Sequence, residues 1–223
     1  MWRRRRVTAV VLAAGNGSRM GVHENKMYHN LGGEPLLFHT LKAFDQHPAV
    51  DELVLTVRAE EMAQMEALLI SMAPKKPYRL VLGGKTRQDS VRLALEVVKN
   101  PVVIVHDGAR PFILAQHITA CLEALRHYQG AILALPLEDS IFLAPRKRLP
   151  KILDAPLFAV QTPQCFYTKT LRSCHEKHAM NPSITDDSRL LELEGYPVGV
   201  VMGDPGNFKV TTPLDLLLAQ AHA

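Results

Sequence analysis

The sequence predicts an α/β protein: a single-domain, doubly wound, mostly parallel sheet with a protruding arm. Three observations predict it. Short apolar runs alternate with helical patterns along the chain, the order that a parallel sheet with crossover helices requires. Several of those runs lack polar alternation, as expected of strands covered on both faces. The chain has 223 residues, 47% of them hydrophobic, which suffices for one sizeable core with helices on either side of a sheet.

The elements follow in order. Strands are expected at 7–12 (VTAVVL), 53–57 (LVLTV), 78–82 (YRLVL), 102–105 (VVIV), 131–135 (AILAL) and 198–202 (VGVVM). Helical patterns fall between or after them, at 36–45, 60–72, 88–99, 115–128, 185–194 and 213–221. The stretch 136–156 breaks this rhythm, with four prolines and the basic run Arg146, Lys147, Arg148. It is expected to leave the core as an arm and not to form a second domain. The organisation expected is therefore one domain, 1–223, with 136–156 as the arm and 1–6 as a basic N-terminal tail.

Charge points the same way. The net charge is +4, but four of the 26 Lys and Arg residues are the run Arg3–Arg6, and without it basic and acidic residues balance at 22 each. No basic patch for nucleic acid is implied elsewhere. The start MWRRRRVTAVVLAAG has the positive, apolar and small-residue order of a signal peptide. Its apolar run is short for that role and leads straight into a loop of purposeful residues, so it is expected to be the first strand. No segment approaches the roughly 20 apolar residues of a membrane helix. Cys121, Cys165 and Cys174 are odd in number and lack metal-ligand spacing, which suggests reduced thiols in a cytoplasmic protein.

In a doubly wound sheet ligands bind beyond the carboxyl ends of the strands. After the first strand comes Ala13-Ala14-Gly15-Asn16-Gly17-Ser18-Arg19-Met20-Gly21, which is neither a Walker A loop nor a dinucleotide fingerprint. Such a turn can bring backbone N–H groups to phosphate oxygens, while Arg19 and Lys26 add charge-assisted bonds; the alternative is a tight turn with solvated cations. Asp107, in His106-Asp107-Gly108-Ala109-Arg110, is placed to hold Mg²⁺ or to cap the next turn. His106 is read as structural. Gly83 to Val91 and Gly206 to Pro213 also follow strand ends, and each alone would pass as a capped turn.

Taken together, AAGNGSRMG with a following lysine, GGKTRQDSV, VHDGARPF, VQTPQCF, ITDDS and GNFKVTTPLDL resemble, in the same order, the 2-C-methyl-D-erythritol 4-phosphate cytidylyltransferases of the non-mevalonate isoprenoid pathway. The resemblance runs from Val7 onward and implies a Rossmann-like nucleotidyltransferase that transfers CMP from CTP to 2-C-methyl-D-erythritol 4-phosphate, giving 4-diphosphocytidyl-2-C-methyl-D-erythritol and pyrophosphate. It implies that Arg19, Lys26 and Lys209 are catalytic and act on the phosphates. Ala13, Ala14, Gly15 and Gly17 would line the sugar and phosphates, and Gly84 and Ser90 would read cytosine. Asp107 would orient Mg²⁺. Thr162, Thr185 and Ser140 fall on the acceptor side, and a homodimer through the arm is implied. Three departures stand out. Asn25 precedes the lysine where the family has proline, and Lys85 replaces an acidic residue. Ile152-Leu153-Asp154-Ala155-Pro156 lacks the arginine of the family's Leu-Asp-Arg, so Arg146, Arg148 or Lys151 is expected to replace it. Two other functions remain to be weighed: a cytidylyltransferase for another polyol phosphate, such as ribitol 5-phosphate, and a non-catalytic nucleotide- or RNA-binding protein.

Overall fold

The computed structural model describes residues 1–15, 25–139, 141–143, 151–152, 155–179, 184 and 186–222. Seven strands form the central sheet: β1 (Val7–Leu12), β2 (Glu52–Val57), β3 (Tyr78–Leu82), β4 (Val102–Asp107), β5 (Gly130–Pro136), β6 (Phe158–Tyr167) and β7 (Val198–Met202). Their order is β7-β5-β6-β4-β1-β2-β3. Every neighbouring pair is parallel except the two made by β6, which runs antiparallel to β4 and β5.

Alternation along the central strands explains the double winding. In β1, Val7, Ala9 and Val11 enter one apolar core and Val10 and Leu12 the other; in β4, Val102 and Ile104 take the first side and Val103 and Val105 the second. Side chains two apart share a face, so helices are needed on both. The first face is covered by α1 (Leu36–Gln46), α2 (Met62–Met72) and α4 (Ala115–Ala124), and the second by α3 (Arg87–Val97), α5 (Thr168–Lys177) and α6 (Asp187–Leu193). A last helix, α7 (Pro213–His222), buries Ala219.

β6 and α5 were not expected from the sequence. β6 carries Pro163, which argues against a strand between two neighbours. The chain accommodates it in a register shift between Gln161 and Gln164, a bulge that frees the proline from the ladder. α5 was missed because its buried stripe is Thr168, Leu171, Cys174 and His175, of which two are polar. Residues 142–143 and 151–152 form a separate two-stranded antiparallel sheet within the segment that joins β5 to β6.

The basic start is also more ordered than a tail. Trp2 and Arg5 exchange two backbone hydrogen bonds across Arg3 and Arg4, both at positive φ. The Trp2 ring is buried and its Nε1 donates to Glu123, while Arg5 donates to the Tyr167 hydroxyl at 2.8 Å. Residues 1–6 therefore fold back on the end of the sheet opposite the strand-end loops. All three cysteines are buried free thiols. Among the described residues no helix is long and apolar enough to cross a membrane.

Candidate functional site

Strand order reverses between β1 and β4: β2 and β3 lie to one side of β1 and β4 to the other. Loops leaving the carboxyl ends of β1 and β4 diverge there and open a crevice. The cleft found at this place is lined by Ala14 and Gly15 after β1, Thr56 near the end of β2, Gly84 and Ser90 after β3 and Asp107 at the end of β4, together with Lys26 and Lys209.

Two loops meet at one side of it. A Cβ on Gly83 would stand 2.2 Å from the Ala14 Cβ, and one on Gly84 2.2 Å from the Asp89 Cβ. Only glycine permits those approaches. The turn is then locked by α3, whose N-cap Thr86 and third residue Asp89 form a capping box. Ser90 accepts from Gly84 N at 3.0 Å and donates to Thr86 O at 3.0 Å. Gly83 N and Thr86 N are likewise bonded, to Val57 O and Asp89. The N–H groups of Gly83, Gly84 and Thr86 are thus engaged by the fold.

Asp107 is the last residue of β4 and sits among cations. Its Oδ2 accepts from Lys209 Nζ at 2.8 Å and its Oδ1 from Arg87 Nε at 3.3 Å, with Arg110 Nε 3.9 Å away. Burial alone would push its pKa up, but Arg87 and Lys209 hold the carboxyl well below the usual range. Arg87 extends the chain of charges to Asp187, whose other oxygen takes a bond from His175 Nε2 at 2.9 Å. Burial opposes the Arg87 charge, and Asp187 and Asp107 more than offset it. Arg87 and Asp187 were not picked out from the sequence. Each lies inside a quoted motif, but a pairing across that separation has no local signal.

The loop bearing Lys209 is pinned from several directions. Asn207 Nδ2 donates to Thr162 O at 2.9 Å, Arg110 donates to Asn207 O at 2.7 Å, and Val210 N donates to Ala109 O at 2.9 Å. Thr162, expected on the acceptor side, is buried and does not line the cleft. Its hydroxyl accepts from Asp107 N at 3.0 Å and meets His106 Nδ1 at 3.1 Å, so it holds the end of β4 from behind. His106 Nε2 reaches Arg110 O at 3.2 Å; both bonds are made when that nitrogen carries the proton. Burial pushes the His106 pKa from 6.5 down to about 3, which agrees with the structural role.

A pH dependence follows. Between pH 6.5 and about 3 the unfolded chain binds a proton at His106 that the native chain refuses. The stability from this group is complete above 6.5 and lost as pH falls through that window. A His106→Asn variant should show a shallower fall in Tm across it, and an unchanged slope would contradict this.

Of the other expected site residues, Ala13 is buried in the core just behind Ala14 and Gly15. Lys151 lies in the small hairpin. Arg19, Gly17, Ser140, Arg146, Arg148 and Thr185 lie outside the described residues. The structure therefore brings Lys26, Asp107, Lys209, Ala14, Gly15, Gly84 and Ser90 to one cleft.

Comparison with known proteins finds relatives along nearly the whole chain. A curated relative from Bacillus velezensis, a 2-C-methyl-D-erythritol 4-phosphate cytidylyltransferase, is 40% identical over 217 residues, covering 95% of this chain and 93% of the relative. One from Alkaliphilus metalliredigens, of the same description, is 39% identical over 223 residues, covering 96% and 92%. The solved 4-diphosphocytidyl-2C-methyl-D-erythritol synthase of Anaerococcus prevotii superposes with a TM-score of 0.85 at 28% identity, covering 98% of each chain. The cytidylyltransferase of Thermus thermophilus gives 0.79 at 31%, covering 97% and 98%. The family profile of IspD, 2-C-methyl-D-erythritol 4-phosphate cytidylyltransferase, matches residues 7–223. With that match and those identities over nearly its whole length, the chain belongs to the 2-C-methyl-D-erythritol 4-phosphate cytidylyltransferase family.

Proposed function

We propose that the cleft at the ends of β1 to β4 is where this family's reaction takes place, with the phosphates of CTP between Lys26 and Lys209. The reaction itself follows from family membership: CMP passes from CTP to 2-C-methyl-D-erythritol 4-phosphate, giving 4-diphosphocytidyl-2-C-methyl-D-erythritol and pyrophosphate. The observation that carries the placement is Asp107 with its cations, at one cleft with Lys26 and the glycine turns.

Electrostatic repulsion is the main obstacle. An acceptor phosphate oxygen has to approach the α-phosphorus of a triphosphate, so the barrier falls when cations neutralise both groups and hold them in line. Lys26 meets the triphosphate from the glycine-rich side. Lys209 exchanges Asp107 for the α-phosphate or the incoming acceptor phosphate. Arg87 remains on Asp107 and keeps the carboxylate fixed. On the base side, Gly83 and Gly84 have their N–H groups engaged and bring carbonyl oxygens to the turn, which suit the exocyclic amine of cytosine.

The cleft also fits Mg²⁺. Asp107 is held ionised and is the one carboxylate among the described lining residues. A cation that keeps water and phosphate oxygens needs few protein ligands. When bound it would supply further charge neutralisation of the phosphates, with Asp107 as its protein ligand.

The acceptor side rests on the arm. A dianionic phosphate taken out of water needs charged partners, and the sequence offers Arg146, Arg148 and Lys151. Their combined neutralisation should raise the KM for methylerythritol phosphate about tenfold, the value of a charged hydrogen bond, and leave the CTP KM nearly unchanged. An acceptor KM within about twofold of the parent would place the phosphate on the core side instead. We further propose a homodimer formed around the arm. Phe158, Val160, Val200 and Met202 are exposed apolar residues on the strands flanking β5, and a second copy would cover them. A monomer mass by sedimentation at assay concentration would contradict it.

The reaction is tested by pyrophosphate release from CTP with a panel of polyol phosphates. Methylerythritol phosphate should exceed ribitol 5-phosphate by at least about tenfold in kcat/KM. The opposite order would assign a different acceptor.

A further inference from the structure

We propose that Glu61 is a positioning residue for cytidylyl transfer: through Asn25 it clamps both feet of the glycine-rich loop and so fixes Lys26 in the cleft. The inference rests on the assignment of the cleft to CTP.

Asn25 stands where the loop returns to the fold, immediately before the 3-10 turn Lys26–Tyr28. Its Oδ1 accepts from Met27 N at 3.1 Å, which caps that turn. Its Nδ2 donates to Glu61 Oε2 at 2.8 Å and reaches the carbonyl of Ala13 at 3.5 Å. Ala13 is the foot by which the loop leaves β1, itself tied to Thr56 O at 3.0 Å. One side chain therefore joins departure, return and the turn that carries Lys26. Glu61 is its anchor, and the second carboxylate oxygen is held by Arg58.

Asn25 and Glu61 are both buried. A carboxylate taken out of water is costly unless paired and hydrogen-bonded. Here the pairing serves the return of the chain to the fold: Glu61 closes the short turn Ala59–Glu61 ahead of α2 and bonds Asn25, the neighbour of the cleft-lining Lys26. Lys26 is itself mostly buried, so the backbone at 25–28 decides where its ammonium group lies. A cation aligned on a transition state loses much of its effect when displaced by about 1 Å.

The backbone supplies a test. Asn25 has φ −71° and ψ 121°, within the range that proline fixes. Asn25→Pro can thus stiffen the return foot without a side-chain clamp, and Arg58 keeps Glu60 as a partner when Glu61 is gone.

Glu61→Ala should lower kcat roughly tenfold with a smaller change in the KM for either substrate. Glu61→Gln, which still accepts from Asn25, should stay within about threefold of the parent. Adding Asn25→Pro to Glu61→Ala should recover most of the lost kcat, a rescue that a merely structural role of the buried carboxylate does not produce. If Glu61→Ala does not fold, Asn25→Ala, which leaves the Arg58 pair intact, should show the same kcat loss. A parental kcat in Glu61→Ala or Asn25→Ala, or no rescue by proline, overturns the proposal. Lys26→Ala in the same assay separates the two levels: if it is inactive while Glu61→Ala is unaffected, only the clamp fails. If Lys26→Ala is itself silent, the assignment of the cleft fails.

Discussion

Lys26→Ala should lower turnover by about a hundredfold or more, near 3 kcal/mol of lost transition-state stabilisation. The residue is 8% exposed and lines the cleft, so its charge acts where water screens it little. CTP binding should weaken less than turnover, because the repulsion that Lys26 offsets is greatest when the acceptor phosphate closes on the α-phosphorus. The same loss is expected for Arg19→Ala on the strength of the sequence motif. Steady-state kinetics with both substrates varied check this. Turnover within about threefold of the parent would reduce Lys26 to a surface-like cation, which contributes little.

Asp107→Asn is expected to have an effect of similar size. Asparagine keeps the shape but removes the charge that Lys209 and Arg87 share. Arg87 still has Asp187, so the fold should survive, whereas Lys209 loses the counterion that stations it at the cleft. Turnover should fall by about two orders of magnitude, and the Mg²⁺ concentration for half-maximal rate should rise. EDTA should abolish activity in the parent, and excess Mg²⁺ should restore it. A titration with unchanged Mg²⁺ dependence would leave Asp107 as an electrostatic post for Lys209 and remove it as a metal ligand.

Much of the fold was legible because it rests on local pattern. The runs at β1 and β4 are apolar on both faces, and that alone predicts a sheet covered twice. β6 was hidden because its centre is Gln161, Thr162, Pro163 and Gln164. Those polar residues are buried for tertiary reasons: Gln161 and Thr162 hold the loop of Lys209 and the end of β4. Cleft residues were legible where they end or follow a strand, as Asp107 at the end of β4 and Lys26 and Lys209 in loops beyond β1 and β7 do. What stayed hidden depends on pairing at a distance. Arg87 with Asp187, Thr162 with His106, and Asn25 with Glu61 each join segments that nothing in the local sequence relates.

The central claim is that Lys209 leaves Asp107 to serve the phosphates, and a crystal structure with CTP and Mg²⁺ bound tests it most directly. The account predicts the Lys209 Nζ within hydrogen-bond distance of a phosphate oxygen and no longer 2.8 Å from the Asp107 Oδ2. Nucleotide bound in the cleft with that ion pair intact, or bound away from Lys26 and Lys209, would contradict it.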